Sequence, residues 1–256
     1  MVKGWWYVAT ACLMVGMAAS PAQADESKKP TSTLTVHTDS AESQADVKEV
    51  VDAVLQINAG KIQQAIDGPL TDVVNRYEKR YANSPDAVVS ARGQVQALLY
   101  LTLAAEVNAK KGGSRNAIDV GPAWAMAYWA RGYGYSEMNR FPEAEIELKK
   151  AIALAPSDAQ YNSELAYVYQ MQKRYEESLA LYKAMPEMLG ALDDLPESAK
   201  TEFRCKSFRG QGFDLVELKR YDEAEAAYKA CLALVPGEPK SLGELEYIKG
   251  VRAKGG

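Results

Sequence analysis

The sequence is poor in the residues from which most metal centres and catalytic triads are built. Its 256 residues include one histidine and three cysteines, too few for a histidine-rich metal site or a histidine-based triad. No basic excess is available for phosphates, because 30 basic residues accompany 34 acidic ones, so nucleic-acid binding is not expected. With 47% hydrophobic and 25% charged residues, the composition also argues against collagen-like, low-complexity and multi-span membrane chains.

One long apolar run is present, and it lies near the start of the chain. Lys3 precedes residues 5–19, which are almost wholly apolar and shorter than a bilayer span requires. A small-residue motif of the A-x-A type ends at Ala24. We therefore predict a signal peptide over residues 1–24, cleaved after Ala24, and a periplasmic protein with no transmembrane segment in its mature chain. The alternative is an uncleaved membrane anchor.

The next part of the chain changes from linker-like to helical composition. Residues 25–44 are rich in Thr, Ser and Asp and lack a helical period, so they are predicted to form a flexible linker. The only histidine, His37, falls in this stretch and is expected to be solvated. Residues 45–121 carry helical stripes of apolar residues and are predicted to form an N-terminal helical region of degenerate repeats.

Local signals subdivide this N-terminal region. Gly68 and Pro69 interrupt a helical stripe and are expected to kink or divide it. Residues 84–86 are interpreted as the start of another helix. Residues 95–107 are apolar nearly all round, which is typical of a helix buried between neighbours. Residues 110–121 are predicted to be a polar, glycine-bearing loop.

A pattern of 34 residues occurs three times in the second half of the chain. Small residues occupy its positions eight and twenty, and large apolar or aromatic residues recur between them. The second copy follows the first by 34 residues and the third follows by 46, so about a dozen residues are inserted around residues 186–196. The matching residues are Tyr128, Gly132, Tyr135, Phe141, Ala144, Leu148, Ala151 and Pro156 in the first copy, and Phe208, Gly212, Leu215, Tyr221, Ala224, Tyr228, Cys231 and Pro236 in the third.

This pattern resembles the tetratricopeptide repeat (TPR), a helix-turn-helix unit of 34 residues. The resemblance implies an all-α fold, namely a right-handed superhelical solenoid of such repeats with N-terminal helices and a C-terminal capping helix. It places a TPR domain at residues 122–256, with repeats at about 125–158, 159–204 (including the insertion) and 205–238. The acidic pairs that follow each hairpin turn are interpreted as helix starts favoured by the macrodipole, not as catalytic carboxylates.

In TPR proteins, the first helices of successive repeats line a concave groove, at repeat positions two, five, nine and twelve. Position nine is aromatic in all three copies, and an aromatic stripe offers a large apolar contact area at low entropic cost. Lys206 and Arg209 add a basic end suited to a carboxylate. Alternatively, the stripe packs in the core or is covered by the N-terminal helices. The groove residues implied by the resemblance are Met126, Trp129, Tyr133, Ser136, Gln160, Ser163, Tyr167, Gln170, Lys206, Arg209, Phe213 and Val216.

The repeat register also brings two cysteines together. Cys205 is position one of the third copy and Cys231 is position twenty-seven. Each lies seven residues from one of the small residues that face each other in the hairpin, and seven residues are close to two helical turns. A disulfide between Cys205 and Cys231 is therefore expected in an oxidising compartment, the alternative being two buried free thiols.

These features favour a non-enzymatic protein without a cofactor or metal. The expected function is a protein-protein interaction module or adaptor of the bacterial periplasm, which binds a peptide or protein segment of the cell envelope in the aromatic groove. The alternative is a periplasmic inhibitor or immunity protein whose contact loop is the insertion around residues 185–200. Neither the partner nor the oligomeric state follows from the sequence.

Overall fold

The computed structural model describes residues 32–37, 40–190 and 195–254, which belong to one compact unit. The predicted signal peptide with its cleavage site, residues 25–31 of the predicted linker and residues 191–194 of the insertion lie outside the described residues. The described chain begins with strand β1 and then forms helices connected by short turns, with two further strands between them. The strands are β1 (Leu34–Thr35), β2 (Ala87–Val89) and β3 (Ala117–Asp119); the helices are α1 (Ala41–Asn58), α2 (Ile62–Ala65), α3 (Thr71–Tyr81), α4 (Gln94–Lys110), α5 (Ala123–Glu137), α6 (Phe141–Leu154), α7 (Ala159–Met171), α8 (Tyr175–Gly190), α9 (Glu197–Glu217), α10 (Tyr221–Leu234) and α11 (Pro239–Ala253).

The second half of the chain is a stack of helical hairpins. Helices α5 and α6, α7 and α8, and α9 and α10 form three antiparallel pairs, each packed against the next, and α11 covers the last pair. The predicted all-α solenoid fold is therefore confirmed. Position eight is small because the helices meet there: a Cβ on Gly132 would lie 2.6 Å from Leu148 Cγ, and one on Gly212 would lie 2.6 Å from the Tyr228 ring.

Each hairpin turns on a residue in the left-handed region of backbone space. Asn139, Lys173 and Lys219 have φ values of 58°, 59° and 59°, and all three occupy position fifteen of their repeat. Left-handed backbone is unfavourable for residues with a Cβ atom, and lysine has no side-chain group that bonds back to its own turn. The tight turn of these hairpins is thus maintained by the packing of the two helices that it connects.

An arginine follows each of these turn residues and pairs with the acidic residue three positions later. In the second hairpin, Arg174 Nε donates to Glu177 Oε2 at 2.6 Å; the first and third hairpins have the same pairs, Arg140–Glu143 and Arg220–Glu223. The hydrogen bond from the arginine lowers the pKa of each glutamate. The acidic residues after the turns are therefore structural features of helix starts.

Helices α1 to α3 pack against α5, in the position of a preceding hairpin. Between α2 and α3, Ile66–Leu70 forms a π-helical turn in which Gly68 leaves helical geometry, with φ of −99° and ψ of −108°. The expected interruption at Gly68 and Pro69 is thus present. Ile57, Ile62 and Ile66 approach α5 at Gly134, where an added Cβ would lie 3.0 Å from Ile66 Cδ1.

A small parallel sheet packs against α4 and was not expected from the sequence. Its strand order is β1-β3-β2, and both outer strands run parallel to β3. The interpretation of residues 84–86 as a helix start was wrong, because β2 follows them and α4 begins only at Gln94. The predicted loop over residues 110–121 contains β3. Strands of two or three residues are too short to display the alternation by which a strand is recognised.

His37 is not the solvated linker residue that the sequence suggested. It follows β1, is half-buried, and its Nε2 lies 3.0 Å from Ser43 Oγ in the first turn of α1. Its ring covers Gly121, where an added Cβ would lie 2.8 Å from Nε2. The predicted linker therefore contributes packed structure in its described part. Ser43 is itself buried, so this hydroxyl–imidazole pair fixes the start of α1, while His37 also lines a shallow cavity of about 320 Å³ with Arg92 and Asp119.

Helix α4 is buried on one face only. Ala97, Tyr100, Leu101 and Ala105 face the sheet and the core, while an opposite row of large apolar residues is exposed. The prediction of a helix buried between neighbours was therefore wrong for that row, because one sheet and one hairpin stack cover a single side of the helix. The exposed residues are Val95, Leu98, Leu103 and Val107.

The insertion in the second repeat mainly lengthens helices. Helix α8 extends to Gly190, and α9 begins at Glu197, eight residues before position one of the third repeat. Met185 and Leu189 are fully buried, in a cluster with Phe203 at its edge. The predicted contact loop over residues 185–200 is wrong in this respect, because its described part is mostly helix that anchors one repeat to the next.

Candidate functional site

The aromatic residues at position nine differ in exposure along the stack. Tyr167 on α7 is 43% exposed and Phe213 on α9 is 40% exposed. Tyr133 on α5 is half-buried, and its hydroxyl donates to Asn58 Oδ1 at the end of α1, at 3.1 Å. The stripe is thus open in the second and third repeats and partly covered by the N-terminal helices in the first.

The other groove positions of the first repeat are also taken up by packing. The Trp129 ring stacks on Tyr133, with centroids 5.9 Å apart, and on the buried Tyr161, 6.1 Å away. Met126 packs against the core at half-burial, and Ser136 is buried. The first repeat therefore contributes stacked aromatic rings to the repeat interface, not an open binding surface.

The loop after β2 covers the beginning of α7. Arg92 Nε pairs with Asp158 Oδ2 at 2.6 Å, and Arg92 Nη2 donates to Gln160 Oε1 at 3.1 Å. Asp158 also caps α7 by accepting hydrogen bonds from the backbone of Gln160 and Tyr161. Gln160, at groove position two, is thus engaged by the N-terminal part of the chain, which limits the open groove to the portion beyond it.

The open portion contains a cleft of about 280 Å³ between the first helices of the repeats and α11. Four of the twelve predicted groove residues line it. On α9, Lys206, Arg209, Gly210 and Phe213 follow one another at helical spacing and share one face. Gly210 leaves room for the ring of Tyr182, which an added Cβ would approach to 2.4 Å. The lining residues are Gln170, Tyr182, Lys206, Arg209, Gly210, Phe213, Tyr228, Lys240 and Glu244.

The two cations predicted to receive a carboxylate already have partners within the chain. Lys206 Nζ lies 2.9 Å from Ser163 Oγ and 3.6 Å from Glu164 Oε1. Arg209 Nη1 lies 3.2 Å from Glu238 Oε1. The positive charges of Lys206 and Arg209, predicted to receive a carboxylate of the partner, are therefore neutralised by Glu164 and Glu238 of the chain itself. Burial raises the pKa of Glu164, and the charge of Lys206 opposes that rise.

The aromatic stripe continues beyond the third repeat, onto α11. Tyr247 lies 34 residues after Phe213, at the ninth residue of α11, and is 55% exposed. Lys240, Glu244 and Tyr247 lie at intervals of four and three residues, so they share the face of α11 that borders the cleft. Tyr247 was not among the predicted groove residues, because α11 was interpreted only as a capping helix. Extending the same 34-residue count by one step would have found it.

A buried carboxylate lies beneath the groove. Asp214 on α9 is fully buried, and its Oδ1 accepts a hydrogen bond from Gln170 Nε2 at 2.9 Å. Burial raises the pKa of Asp214 to about 7, the hydrogen bond from Gln170 opposes this rise, and the charges of Glu176 and Glu217 add to it. Val216, two residues further on, packs against the core of the third hairpin. Helix α9, which lines the cleft, thus also holds a buried carboxyl whose pKa is raised by its burial.

A disulfide joins the two helices of the third hairpin. Cys205 on α9 and Cys231 on α10 are bonded, with their Cα atoms 4.4 Å apart. Glu238 lies beside them and caps α11 by accepting from the backbone nitrogens of Lys240 and Ser241. The ligand atoms of Cys205, Cys231 and Glu238 lie within 4.8 Å of one another, but sulfurs bonded to each other are not the thiolate ligands that metals require.

Comparison with known proteins gives fold likeness at low identity. No protein-family model matches the chain, and no curated protein matches it in sequence. The structure described as MamA AMB-1 has 16% identity and a TM-score of 0.48, covering 82% of this chain and 84% of that one. The first TPR of Spaghetti (RPAP3), bound to an HSP90 peptide, has 19% identity and a TM-score of 0.43, covering 50% and 93%. Because the sequence identities and TM-scores are this low, nothing that these proteins bind is assigned to this chain.

Within the described residues, none of the helices combines the length and the apolar character needed to cross a bilayer.

Proposed function

We propose that this chain is a protein-binding module that holds a polypeptide segment in the groove formed by α7, α9 and α11. The observation that carries the proposal is the exposure of Tyr167, Phe213 and Tyr247, each at position nine of the 34-residue register and each at least 40% exposed. Single exposed apolar residues are ordinary, but aromatic residues that recur at one register position of three neighbouring helices give this side of the stack several exposed rings. Aromatic anchors next to a cleft are characteristic of protein interfaces.

The same proposal places the protein in the cell envelope of a bacterium. Its supports are the apolar run over residues 5–19 with the small-residue motif at Ala24, and the Cys205–Cys231 disulfide. Structural disulfides persist in oxidising compartments such as the periplasm and are rare in the cytosol. We propose an adaptor function there, without catalysis, because the groove offers contact surface and paired charges.

Site-specific photo-crosslinking in native cells tests the proposal. A photoreactive residue replaces Tyr167 in the groove, and the matched control replaces Ile146, an exposed apolar residue on the second helix of the first hairpin. We expect a discrete envelope protein, identified by mass spectrometry, to be captured from position 167 only. Capture from position 146 alone, or from neither position, would refute the groove as the interaction surface.

A further inference from the structure

We propose that a second cavity, bounded by β2, α4 and the end of α6, binds a medium-chain fatty acid with its chain along α4 and its carboxylate at Lys111. This cavity shares no lining residue with the cleft between α7, α9 and α11. The inference therefore goes beyond the proposed protein-binding function and does not depend on it. It follows from the walls of the cavity, from its size and shape, and from its single charged side chain.

The walls of the cavity are almost wholly apolar. Its volume is about 360 Å³, and nine of its eleven lining residues are apolar or aromatic. The hydroxyl of Tyr100 already accepts a hydrogen bond from the backbone nitrogen of Ser157, at 3.0 Å. Leu103 and Val107 are 50% and 49% exposed, so part of this apolar surface is in contact with water. Covering that surface with an apolar ligand is favourable.

The size and shape of the cavity fit one extended chain. Its lining residues on α4 form a single stripe from Tyr100 to Lys111, which is about 16 Å long at 1.5 Å per residue. Its volume lies within the range of small-molecule sites, about 300–1,000 Å³. A protein interface takes about 20–30 residues on each side, more than this cavity offers. An added peptide strand is also opposed, because Ser90 at the end of β2 donates its backbone N–H to Leu154 O at 2.9 Å.

The polar groups of the cavity select the head group of the ligand. Lys111 is the one charged residue among the described residues that line it, and its ammonium group forms no ion pair within the described part of the chain. Asn108 uses its amide donors on Pro85 O and Ser114 O, both at 3.0 Å. A lone cation at the end of an apolar stripe is complementary to one negative charge on an apolar chain. A carboxylate carries one such charge, whereas a phosphate monoester carries nearly two.

Isothermal titration calorimetry of the oxidised chain with decanoate tests this inference, with hexanoate and octanoate as shorter probes. We expect the affinity to rise along the series, by up to about fourfold for each added methylene group that leaves water. Decanol has the same chain without the charge. It should bind at least about tenfold more weakly than decanoate, because it lacks the charged hydrogen bond to the lysine.

Two variants and their matched controls locate the ligand. Ala153 lines the cavity at an exposed position, so Ala153→Leu should fill the cavity without disturbing the core and weaken decanoate binding at least about tenfold. Ile146→Ala, at an exposed residue of the same helix outside the cavity, should leave binding unchanged. Lys111→Gln should reduce the affinity for decanoate to that for decanol, whereas Lys110→Gln, at the neighbouring exposed cation, should change it less than about twofold. Circular dichroism of each variant verifies its fold.

Three results would overturn the proposal: no saturable binding of decanoate, equal affinity for decanol and decanoate, or wild-type affinity in Ala153→Leu. Sedimentation velocity tests the other possible occupant, a second copy of the chain. Concentration-dependent dimerisation that Ala153→Leu abolishes would assign the cavity to that copy and would also overturn the proposal. Neither experiment probes the groove, so their failure leaves the crosslinking test at position 167 to decide the proposed function.

Discussion

Replacing Asp214 by asparagine should change how the stability of the protein depends on pH. Asp214 lies fully buried under the groove, with one oxygen bonded to Gln170. Asparagine has nearly the same shape and retains an oxygen that accepts this hydrogen bond, but it does not ionise. The substitution therefore removes the titration of the group while leaving the packing in place.

The sign and size of the effect follow from the raised pKa. The pKa of Asp214 rises from 3.8 to about 7 on folding, so between these values the folded protein binds one more proton than the unfolded chain. Stability is then full below the unfolded pKa and declines as pH rises through the folded pKa. At about 1.4 kcal/mol per pH unit, the wild type should lose roughly 3 kcal/mol from this group between about pH 5 and pH 8.

Urea denaturation of the wild type and Asp214→Asn, followed by far-UV circular dichroism across this range, measures the effect. Other titrating groups are the same in both proteins, so the difference between the two curves isolates Asp214. We expect the free energy of unfolding of the asparagine variant, relative to that of the wild type, to increase with pH up to about pH 7 and to stay constant above it. Parallel curves would refute the assignment of a neutral-range titration to this carboxyl. Glu217→Gln is a useful control, because burial, not Glu217, is the main cause of the shift.

Three further changes test the packing of the stack. Reduction of the Cys205–Cys231 disulfide, which closes a separation of 26 residues, should destabilise the protein by about 3.5 kcal/mol; a Cys205→Ala/Cys231→Ala variant must then be insensitive to reductant. Gly212→Ala should lower the free energy of unfolding in urea by about 2 kcal/mol, because its Cβ would meet the Tyr228 ring. Gly243→Ala is the matched control: nothing lies within 4 Å of the added Cβ, so alanine should stabilise α11 by about 0.5–1 kcal/mol. Asp158→Ala should cost about 3 kcal/mol through loss of the α7 cap and of the Arg92 partner, and an unchanged unfolding midpoint would contradict this.

The repeat architecture could be read from the sequence because close packing constrains it. Gly132 and Gly212 must be small where helices meet, and the bulky residues around them recur with the helix pairs. The same register located the seam on which Cys205 and Cys231 lie. Such constraints act on every copy, so even a single sequence contains several independent observations of them.

The N-terminal part could not be read in this way. Its strands are two or three residues long, and their pairing depends on chain segments far apart in sequence, such as Ala87 with Ala117. The exposed apolar residues of α4 were predicted to be buried, because an apolar pattern does not reveal how many sides of a helix are covered by other elements. Similarly, the pairing of Lys206 with Glu164 and of Arg209 with Glu238 arises between helices, and no sequence spacing reports it.

The left-handed residues at the hairpin turns offer positions at which the stability of the fold can be raised without altering the groove. Glycine at Asn139, Lys173 or Lys219 would relieve a backbone cost of about 1 kcal/mol at each site, because glycine adopts positive φ without a Cβ penalty. In a linear stack of repeats such gains add along the chain. A triple-glycine form would thus be a reinforced scaffold, on which damaging substitutions such as Phe213→Ala can be studied for their effect on binding alone.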